Sequence, residues 1–222
     1  MQTLASPPRN AILHGDCIDI LAGFAPKSID FVLTDPQYLV RYESRDGRRV
    51  CNDDNAAWLE PAFAEIYRVL KFGSYCVSFY GWNRVDHFFA AWRKAGFRVV
   101  GHLVFPKQYA SGGKLLRYSH EAAYLLAKGN VPAPAEPIAD VIDWKYTGNR
   151  LHPTQKPVGS LKPLVRTFCP EGGLVLDPFC GSGSTLVAAQ SLGRNFLGIE
   201  LDQDHHATTT ARLAALDQSK AA

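Results

Sequence analysis

The fold is decided by two stretches near the end of the chain, Leu174-Val-Leu-Asp-Pro-Phe-Cys-Gly-Ser-Gly-Ser-Thr185 and Phe196-Leu-Gly-Ile-Glu200. The first begins with a short apolar run, which predicts a buried parallel strand that ends at Asp177. A glycine-rich turn then leads into a helix that begins at Ser184. The second stretch predicts another buried strand, and it ends in an acid, Glu200. A strand–turn–helix–strand unit of this kind is typical of sites for a nucleoside-containing cofactor, because glycines let the backbone approach the ligand and the acid can bind two ribose hydroxyls.

The glycine-rich turn departs from the dinucleotide-binding pattern. G-x-G-x-x-G binds a pyrophosphate, whereas Gly181 and Gly183 are followed by Thr185 and Leu186 with no third glycine. Asp177 stands where a pyrophosphate would be repelled and a cation, such as the ammonium of a methionyl group, would be attracted. The pattern therefore favours S-adenosylmethionine over NAD.

The composition indicates one globular domain over residues 1–222. The chain is 46% hydrophobic and 20% charged, and its formal net charge of +3 is compatible with nucleic acid without establishing it. Its apolar runs are far shorter than the ~20 residues that span a bilayer, and its first residues lack the pattern of a signal peptide. Five cysteines, an odd number with no C-x-x-C pair, favour reduced thiols in the cytoplasm over a disulfide or zinc framework.

Strands and helices alternate along most of the chain, which predicts an α/β fold with a doubly wound sheet. In such a sheet ligands bind at the carboxyl ends of the strands, so acids at predicted strand ends should line one crevice. These acids are Asp16, Asp35, Asp177 and Glu200. Apart from the cofactor unit, strands are predicted over 11–15, 29–34, 74–81, 101–106 and 121–127, and helices over 58–70, 85–95, 157–168 and 202–216. The proline-dense stretch 129–150 is the only one that resembles a linker.

Asp35-Pro-Gln-Tyr38 follows one of these strands and carries the second chemical signal. Pro36 fixes its own φ and disfavours the helical conformation for Asp35, so the turn is stiff and its side chains project from the sheet edge. The Asp35 carboxylate and the Pro36 carbonyl can both accept hydrogens from one exocyclic amine, and Tyr38 can stack on a planar base. Such an amine is a poor nucleophile because its lone pair is delocalised. Two acceptors favour a pyramidal nitrogen that can attack a sulfonium methyl group in line, without a covalent enzyme intermediate.

These two motifs, in this order, resemble those of the β group of DNA amino-methyltransferases, which act on adenine N6 or cytosine N4. The resemblance covers nearly the whole chain, since three further segments are similar to family motifs: Ile12-Leu-His-Gly-Asp16-Cys17, Arg117-Tyr-Ser-His-Glu121 with Lys128-Gly129, and Leu151-His-Pro-Thr-Gln-Lys-Pro157. It implies a Rossmann-like, doubly wound mixed sheet, the class I methyltransferase fold, permuted so that the first and last segments are neighbours. It also implies S-adenosylmethionine as cofactor and duplex DNA as partner, with the target base flipped out of the helix. The family is bacterial, phage or plasmid-encoded, often works in restriction–modification and often dimerises.

The resemblance also assigns the site residues. The catalytic residues are Asp35, Pro36 and Tyr38. Asp16 should approach the adenine of the cofactor, Asp177 should hold its methionyl amine and Glu200 its ribose. The pocket should be shaped by Phe179, Gly181, Ser182, Gly183, Ser184 and Thr185. An Asp at the head of the Asp-Pro-x-Tyr motif is typical of adenine enzymes, so we expect N6-adenine methylation, with N4-cytosine methylation as the alternative.

Two departures from the family pattern leave alternatives open. Gln37 replaces the usual second proline, so the turn loses one fixed φ. A catalytically impaired module that binds cofactor and nucleic acid is therefore a second interpretation. The family's target-recognition region follows the strand that ends at Lys128, where this chain has only residues 129–150, so its sequence specificity should be short or relaxed. Methylation of an RNA or protein amine is a further alternative, against which the motif order argues.

Basic residues near the catalytic turn are candidates for DNA contact. One loop follows the turn and could close over a flipped base, and a second flanks Gly112-Gly113. The predicted contacts are Arg41, Arg45, Arg48, Arg49, Lys107, Lys114 and Arg117. For Lys156 a role beside the cofactor, a structural role in its motif and a solvated surface position stay open. His120-Glu121 is expected to be structural. Adjacent histidines at His205-His206 do not share a helix face, so no metal site is expected.

Overall fold

The computed structural model describes residues 4–40, 53–112, 115–145 and 155–221, with the side chains of 111, 112 and 217–221 left out. The strands are β1 (Ala11–His14), β2 (Phe31–Thr34), β3 (Ser74–Phe79), β4 (Arg98–Gly112), β5 (Arg117–Lys128), β6 (Leu174–Asp177) and β7 (Asn195–Glu200). The helices are α1 (Cys17–Ala22), α2 (Leu59–Val69), α3 (Val85–Ala95), α4 (Val158–Phe168), α5 (Ser184–Ser191) and α6 (Gln203–Ala221). Over the described residues the strands form one sheet in the order β1-β7-β6-β2-β3-β5-β4.

The sheet is doubly wound and mixed, as predicted. β6 leads through α5 to β7 on one side, and β2 leads through α2 to β3 on the other, so the chain reverses its direction across the sheet between β6 and β2. The pairings β1–β7, β7–β6, β6–β2 and β2–β3 are parallel, whereas β5 is antiparallel to β3 and β4. β1 pairs with β7 from Ala11↔Leu197 to His14↔Glu200, which confirms that the first and last segments are neighbours. The gap between β6 and β2 is the switch point at which such sheets bind ligands.

The central strands are buried on both faces because helices cover each side of the sheet. Leu33 of β2 lies in one core cluster with Leu164 of α4, whereas Val32 lies in the other with Phe63 and Ile66 of α2. A strand that is covered on both faces carries a continuous apolar run instead of an alternating one. That run is the signal that predicted both β2 and β6.

The β4–β5 hairpin is longer than the strands predicted over 101–106 and 121–127. The pairing continues past Pro106, with a register shift before Ser111, and reaches Gly112↔Arg117. Proline and glycine end a strand pattern in sequence but are tolerated at a sheet edge and at irregularities. The hairpin therefore extends beyond the carboxyl end of β3.

The proline-dense stretch is attached to this hairpin where it is described, and the interpretation as a linker is wrong there. Val141 forms a parallel bridge with Val104, and Trp144 forms one with Lys107. Ile142 and Trp144 are 8% and 6% exposed. Burial of these large apolar side chains stabilises the packed arrangement despite the prolines. That one domain spans residues 1–222 stays a prediction.

Lys128, the last residue of β5, closes the end of α2. Its ammonium donates to the carbonyl oxygens of Tyr67 and Leu70, the latter at 2.6 Å, and the residue is 4% exposed. The last carbonyls of a helix have no partner within it, and a cation there also interacts favourably with the helix dipole. This half of the Lys128-Gly129 motif is therefore structural.

The remaining expectations concern the membrane and the thiols. Across the described ranges, the helices fall short of the length and apolar character that crossing a bilayer requires. Four cysteines are free and buried, and Cys51 lies outside the described residues. Burial raises the pKa of Cys17 to about 12, so this thiol is unreactive at neutral pH.

Candidate active site

The crevice at the carboxyl ends of β1, β2, β6 and β7 gathers nearly all residues that were predicted for catalysis and cofactor binding. The predicted residues that line it are Asp16, Asp35, Pro36, Tyr38, Asp177, Phe179, Gly181, Ser182, Ser184, Thr185 and Glu200. The prediction that the four strand-end acids share one crevice is therefore confirmed. Gly183 lies behind this lining, at the N-terminus of α5, with φ +74°.

The glycine-rich turn is held from behind by α6. Thr209 Oγ1 donates to the Gly181 carbonyl at 2.5 Å, and Arg212 Nη1 donates to the Ser182 carbonyl at 2.6 Å. A Cβ on Gly183 would lie 2.5 Å from Thr209 Cγ2, and its positive φ disfavours any other residue. Sequence reasoning explained the glycines by approach to a ligand, but Gly183 is required by the packing of α6.

Glu200 and Asp16 are positioned by backbone amides. The N–H groups of Gly181 and Asp202 donate to the two carboxylate oxygens of Glu200, at 2.7 and 2.9 Å. The N–H of Ile18 donates to Asp16 at 2.8 Å, which caps the N-terminus of α1. Because β1 pairs with β7, both acids project at the same edge, where they can bind polar groups of a single ligand.

Asp177 ends β6 and is only 3% exposed. Desolvation raises its pKa from 3.8 to about 7, against the opposing effect of hydrogen bonds from Thr185 and from the Phe179 N–H. The Phe179 N–H lies 3.2 Å from its carboxylate. A buried carboxylate with a raised pKa is stabilised in its charged form by a nearby cation. The residue therefore suits an ammonium group and disfavours a phosphate.

The Asp35–Tyr38 turn, which the sequence predicts to be catalytic and which is called the catalytic turn below, carries a charged network that the sequence did not predict. The Tyr38 hydroxyl donates to Asp35 Oδ1 at 2.9 Å. Lys156 Nζ lies 2.6 Å from Asp35 Oδ2 and 3.1 Å from the Tyr38 oxygen, and its side chain is 8% exposed. This burial excludes the solvated alternative for Lys156. Desolvation raises the pKa of Asp35, and Lys156 opposes the shift.

Two residues of the β4–β5 hairpin complete this network. Glu121 Oε2 lies 3.5 Å from the Tyr38 hydroxyl, and Lys107 Nζ lies 2.9 Å from Glu121 Oε1. The Lys107 side chain is 5% exposed. The predicted phosphate contact of Lys107 is therefore wrong for this structure, because the strand pairing turns its ammonium towards Glu121 inside the hairpin. The contact of Glu121 with Tyr38 and its ion pair with Lys107 are not indicated by their neighbours in sequence, because the sheet brings these residues together.

The turn also packs tightly against the residues that follow β3. A Cβ on Gly81 would overlap the Tyr38 carbonyl oxygen and would lie 2.9 Å from Tyr38 Cβ. The φ and ψ of Gly81, −79° and 117°, are open to any residue. Glycine is thus required here by the close approach of the catalytic turn and not by its backbone conformation.

The DNA contacts predicted on the surface are described only in part. Arg117 is exposed at the start of β5. The other predicted cations lie outside the described residues: Arg41, Arg45, Arg48, Arg49 and Lys114.

Comparison with known proteins identifies this arrangement. Residues 29–211 match the N6/N4 methyltransferase family model, which is described as DNA methylase. The chain belongs to this DNA methylase family. It is 53% identical over 207 residues to YubD of Escherichia coli (strain K12), and the match covers 93% of this chain and 91% of YubD. The name of YubD describes a methylase without stating a target base.

Solved structures of DNA methylases share the fold. The M1.HpyAVI complex with S-adenosylmethionine has a TM-score of 0.73 at 22% identity, and the match covers 91% of this chain and 98% of that one. The PvuII DNA methyltransferase, described as cytosine-N4-specific, has a TM-score of 0.76 at 14% identity, with 93% and 87% covered. These likenesses confirm the class I methyltransferase fold.

Proposed function

We propose that this DNA methylase transfers a methyl group from S-adenosylmethionine to the N6 amine of adenine, directly and in line, on a base flipped out of duplex DNA. One observation carries the proposal: Asp177, at the end of β6, and Asp35, directly after β2, face the same crevice at the switch point of the sheet. A cofactor held by the first and an amine held by the second therefore share one space, and proximity of this kind accelerates transfer.

The residues of the crevice fit this cofactor. When bound, S-adenosylmethionine supplies an electrophilic methyl group on a sulfonium. Asp177, buried and with a raised pKa, would hold the methionyl ammonium, and Glu200, fixed by two amides, would accept from ribose hydroxyls. Asp16 lines the same crevice and would approach the adenine.

On the acceptor side, Asp35 and the Pro36 carbonyl receive the two hydrogens of the target amine. The nitrogen would gain a bond to the methyl carbon while the bond from that carbon to the sulfonium sulfur breaks and leaves its electron pair on sulfur. The nitrogen would then be cationic and must lose a proton. Asp35 stabilises this positive charge and is placed to hold the proton, and the pKa that burial raises makes it the better acceptor. Cys180 also lines the crevice, but burial raises its thiol pKa well above the usual value, so it does not suit a covalent carrier.

The target base is proposed from Asp35, since cytosine enzymes of the resembled group usually have Ser there. N4-cytosine methylation is the second candidate, supported by the structural likeness to the PvuII enzyme. A cytosine amine would meet the same two acceptors.

The contacts of the Asp35–Tyr38 turn favour an active enzyme over an impaired binding module. The contacts among Asp35, Tyr38 and Lys156 are made despite the missing proline. Gln37 lines the crevice, and its buried Oε1 has no hydrogen-bond partner among the described residues. An unpaired buried acceptor costs about 1–3 kcal/mol, so a ligand that donates to it would be favoured.

Duplex DNA is the proposed partner, and the whole chain is proposed to act as one catalytic domain in the cytoplasm. The target amine is paired and buried in a duplex, so a base that enters the crevice has to leave the helix. Arg117 and the arginines of residues 41–49 are proposed to bind the backbone. The short stretch 129–150 supports a short or relaxed recognition sequence.

The test is methyl transfer from labelled cofactor to unmethylated duplex DNA, followed by nucleoside mass spectrometry, with Asp35→Ala as the control. N6-methyladenine that disappears in the variant would support the proposal. N4-methylcytosine would keep the mechanism and overturn the choice of base. Transfer to RNA or protein alone would overturn the substrate class. If no transfer occurs while cofactor binds, Gln37→Pro decides: restored activity would identify Gln37 as the lesion, and continued inactivity would favour a binding module.

A further inference from the structure

The Asp35 carboxylate already accepts hydrogen bonds from two donors, one on each oxygen, and in the proposed reaction it must also accept one from the target amine. Tyr38 donates to Oδ1 at 2.9 Å and Lys156 to Oδ2 at 2.6 Å. An ionised carboxylate has about four acceptor sites, so the amine can still bind. Each donor nevertheless withdraws negative charge from the carboxylate, and the lysine charge opposes the positive charge that develops on the amine nitrogen.

Glu121 is placed to relieve both effects. Its Oε2 lies 3.5 Å from the Tyr38 oxygen, and the hydroxyl has a single hydrogen, so Tyr38 donates either to Asp35 or to Glu121. Lys107 holds the other oxygen of Glu121 at 2.9 Å, with its own side chain 5% exposed, so the carboxylate is fixed in place. Burial raises the pKa of Glu121, but Lys156 and Lys107 lower it by more, so the pKa lies below its usual value and the residue is ionised at neutral pH.

The charges of this cluster balance. Two lysines, Lys107 and Lys156, face two carboxylates, Asp35 and Glu121. Loss of the Glu121 charge would leave one excess positive charge in a largely buried site that has to accommodate a developing cation. Charges interact strongly where water is excluded, so this imbalance would oppose the transfer step.

We infer that Glu121, anchored by Lys107, is a positioning residue for methyl transfer: it accepts the Tyr38 hydroxyl hydrogen and offsets the Lys156 charge, which leaves Asp35 to accept from the target amine. The inference rests on the proposed function. It assigns to Glu121 an effect on the chemical step, in contrast to the structural role expected from the sequence. Glu121 acts through Tyr38 and Asp35 and does not touch the reacting atoms.

The test compares Glu121→Gln, which keeps the size and removes the charge, with Glu121→Asp and with a matched control. The control is Glu60→Gln, which breaks the exposed 2.6 Å ion pair between Glu60 and Lys94. We expect Glu121→Gln to lower the single-turnover rate at saturating DNA and cofactor by about 10–100-fold. This is less than the roughly 100–1,000-fold cost of losing a direct contact to a transition state, because Glu121 acts through Tyr38 and Asp35. Both dissociation constants and the melting temperature should stay near those of the parent protein, and Glu121→Asp should recover part of the rate.

A second readout does not depend on activity. The ionisable groups around Asp35 are Lys156, just before α4, Tyr38 on the same turn, Glu121 on β5 and Asp177 on β6. The negative charge of Glu121 raises the pKa of Asp35. Carboxyl carbon NMR of the free protein should therefore show a lower Asp35 pKa in Glu121→Gln. With cofactor saturating, the acid limb of the rate profile should move to lower pH, and Glu121→Asp should bring it back.

The outcomes separate this inference from the proposed function. A parent rate in Glu121→Gln, or an unchanged Asp35 pKa, would overturn the positioning role while methylation by the parent protein stands. If Glu121→Gln loses no more rate than Glu60→Gln, or if its loss accompanies a fall in melting temperature, Glu121 has a structural role and the positioning role is overturned. If the parent protein transfers no methyl group, the proposed function fails and the NMR titration still tests the effect of Glu121 on Asp35.

Discussion

Gly81→Ala isolates the position of the catalytic turn from every other property of the site. Gly81 has φ −79° and ψ 117°, which alanine adopts without strain, so the substitution acts through its added methyl group alone. That methyl would overlap the Tyr38 carbonyl oxygen and would lie 2.9 Å from Tyr38 Cβ. Carbon atoms pack at about 3.5 Å or more, so the gap has to open by roughly 0.6 Å at this contact and by more at the carbonyl.

Tyr38 is three residues from Asp35, and its hydroxyl donates a hydrogen bond to the Asp35 carboxylate. A shift of Tyr38 therefore also shifts the two proposed acceptors, the Asp35 carboxylate and the Pro36 carbonyl. A displacement of about 1 Å in a positioning group can reduce a rate by about 100-fold. We expect Gly81→Ala to lower the single-turnover rate of methyl transfer by about 10–100-fold. Cofactor affinity should change little, because β6, β7 and α6 build that side of the crevice.

The assay measures single-turnover transfer and, by calorimetry, cofactor binding. Gly159→Ala is the matched control: Gly159 lies in α4, and an added Cβ there meets nothing within 4 Å. It should keep the parent rate and gain about 0.4–1 kcal/mol of stability from the reduced freedom of the unfolded chain. Parent-like transfer by Gly81→Ala, or an equal loss in both variants, would refute the argument that contact with Gly81 sets the position of the turn.

Three further predictions concern the cofactor side and the scaffold. The folded-state pKa of Asp177, about 7, lies above its unfolded value near 3.9, so the folded protein binds more protons between these values and the free protein loses stability as pH rises from about 4 to 7. Asp177→Asn should remove this decline in stability, which is worth at most about 4 kcal/mol, and denaturant titrations across this pH range check it. The parent protein should bind cofactor more tightly as pH increases through about 7, and calorimetry should show that the variant has lost this rise. A decline in stability that persists in the variant would contradict the assignment. Gly183→Ala should weaken cofactor binding and lower stability by about 1–2 kcal/mol or more, and adding Thr209→Ala should restore part of the loss; no recovery in the double variant would argue against the clash with α6. Lys128→Met should lower the unfolding free energy by about 1–3 kcal/mol while the rate per folded molecule is kept, whereas Lys145→Met, at an exposed lysine, should change neither; equal stability of the two variants would show that the α2 cap contributes nothing.

The parts of the site that could be predicted are those that lie within one short segment. Asp177 with its turn, and Asp35 with Tyr38, are each encoded by a contiguous strand end, where a buried apolar run stops at an acid. Their shared crevice followed from the rule that parallel strands present their carboxyl ends at one edge. No distance had to be known for this inference.

The parts that escaped prediction depend on contacts between remote segments. Glu121 meets Tyr38 across 83 positions and Lys156 meets it across 118. Both contacts exist only because β5 pairs with β3, the neighbour of β2, and because α4 packs on β2. Lys107 resembled a surface cation because it precedes Gly112-Gly113, which predicted a loop, yet its side chain is buried in the hairpin. The sequence alone does not show whether a charged side chain pairs with another residue of the fold or with an external ligand.

The pairing of β1 with β7 has a consequence for the order in which the protein can be made. A chain leaving the ribosome presents β2, β3, β4 and β5, with the turn that is proposed to bind the base, long before β6 and β7 exist. Until then β1 has no neighbour and one edge of β2 is bare, because Phe31 pairs with Val175 and Ala11 with Leu197. The cofactor pocket closes only when the first and last segments meet, so a nascent or prematurely released chain holds the acceptor half alone. Such a fragment lacks Asp177 and Glu200, so under the proposed function it should transfer no methyl group to DNA.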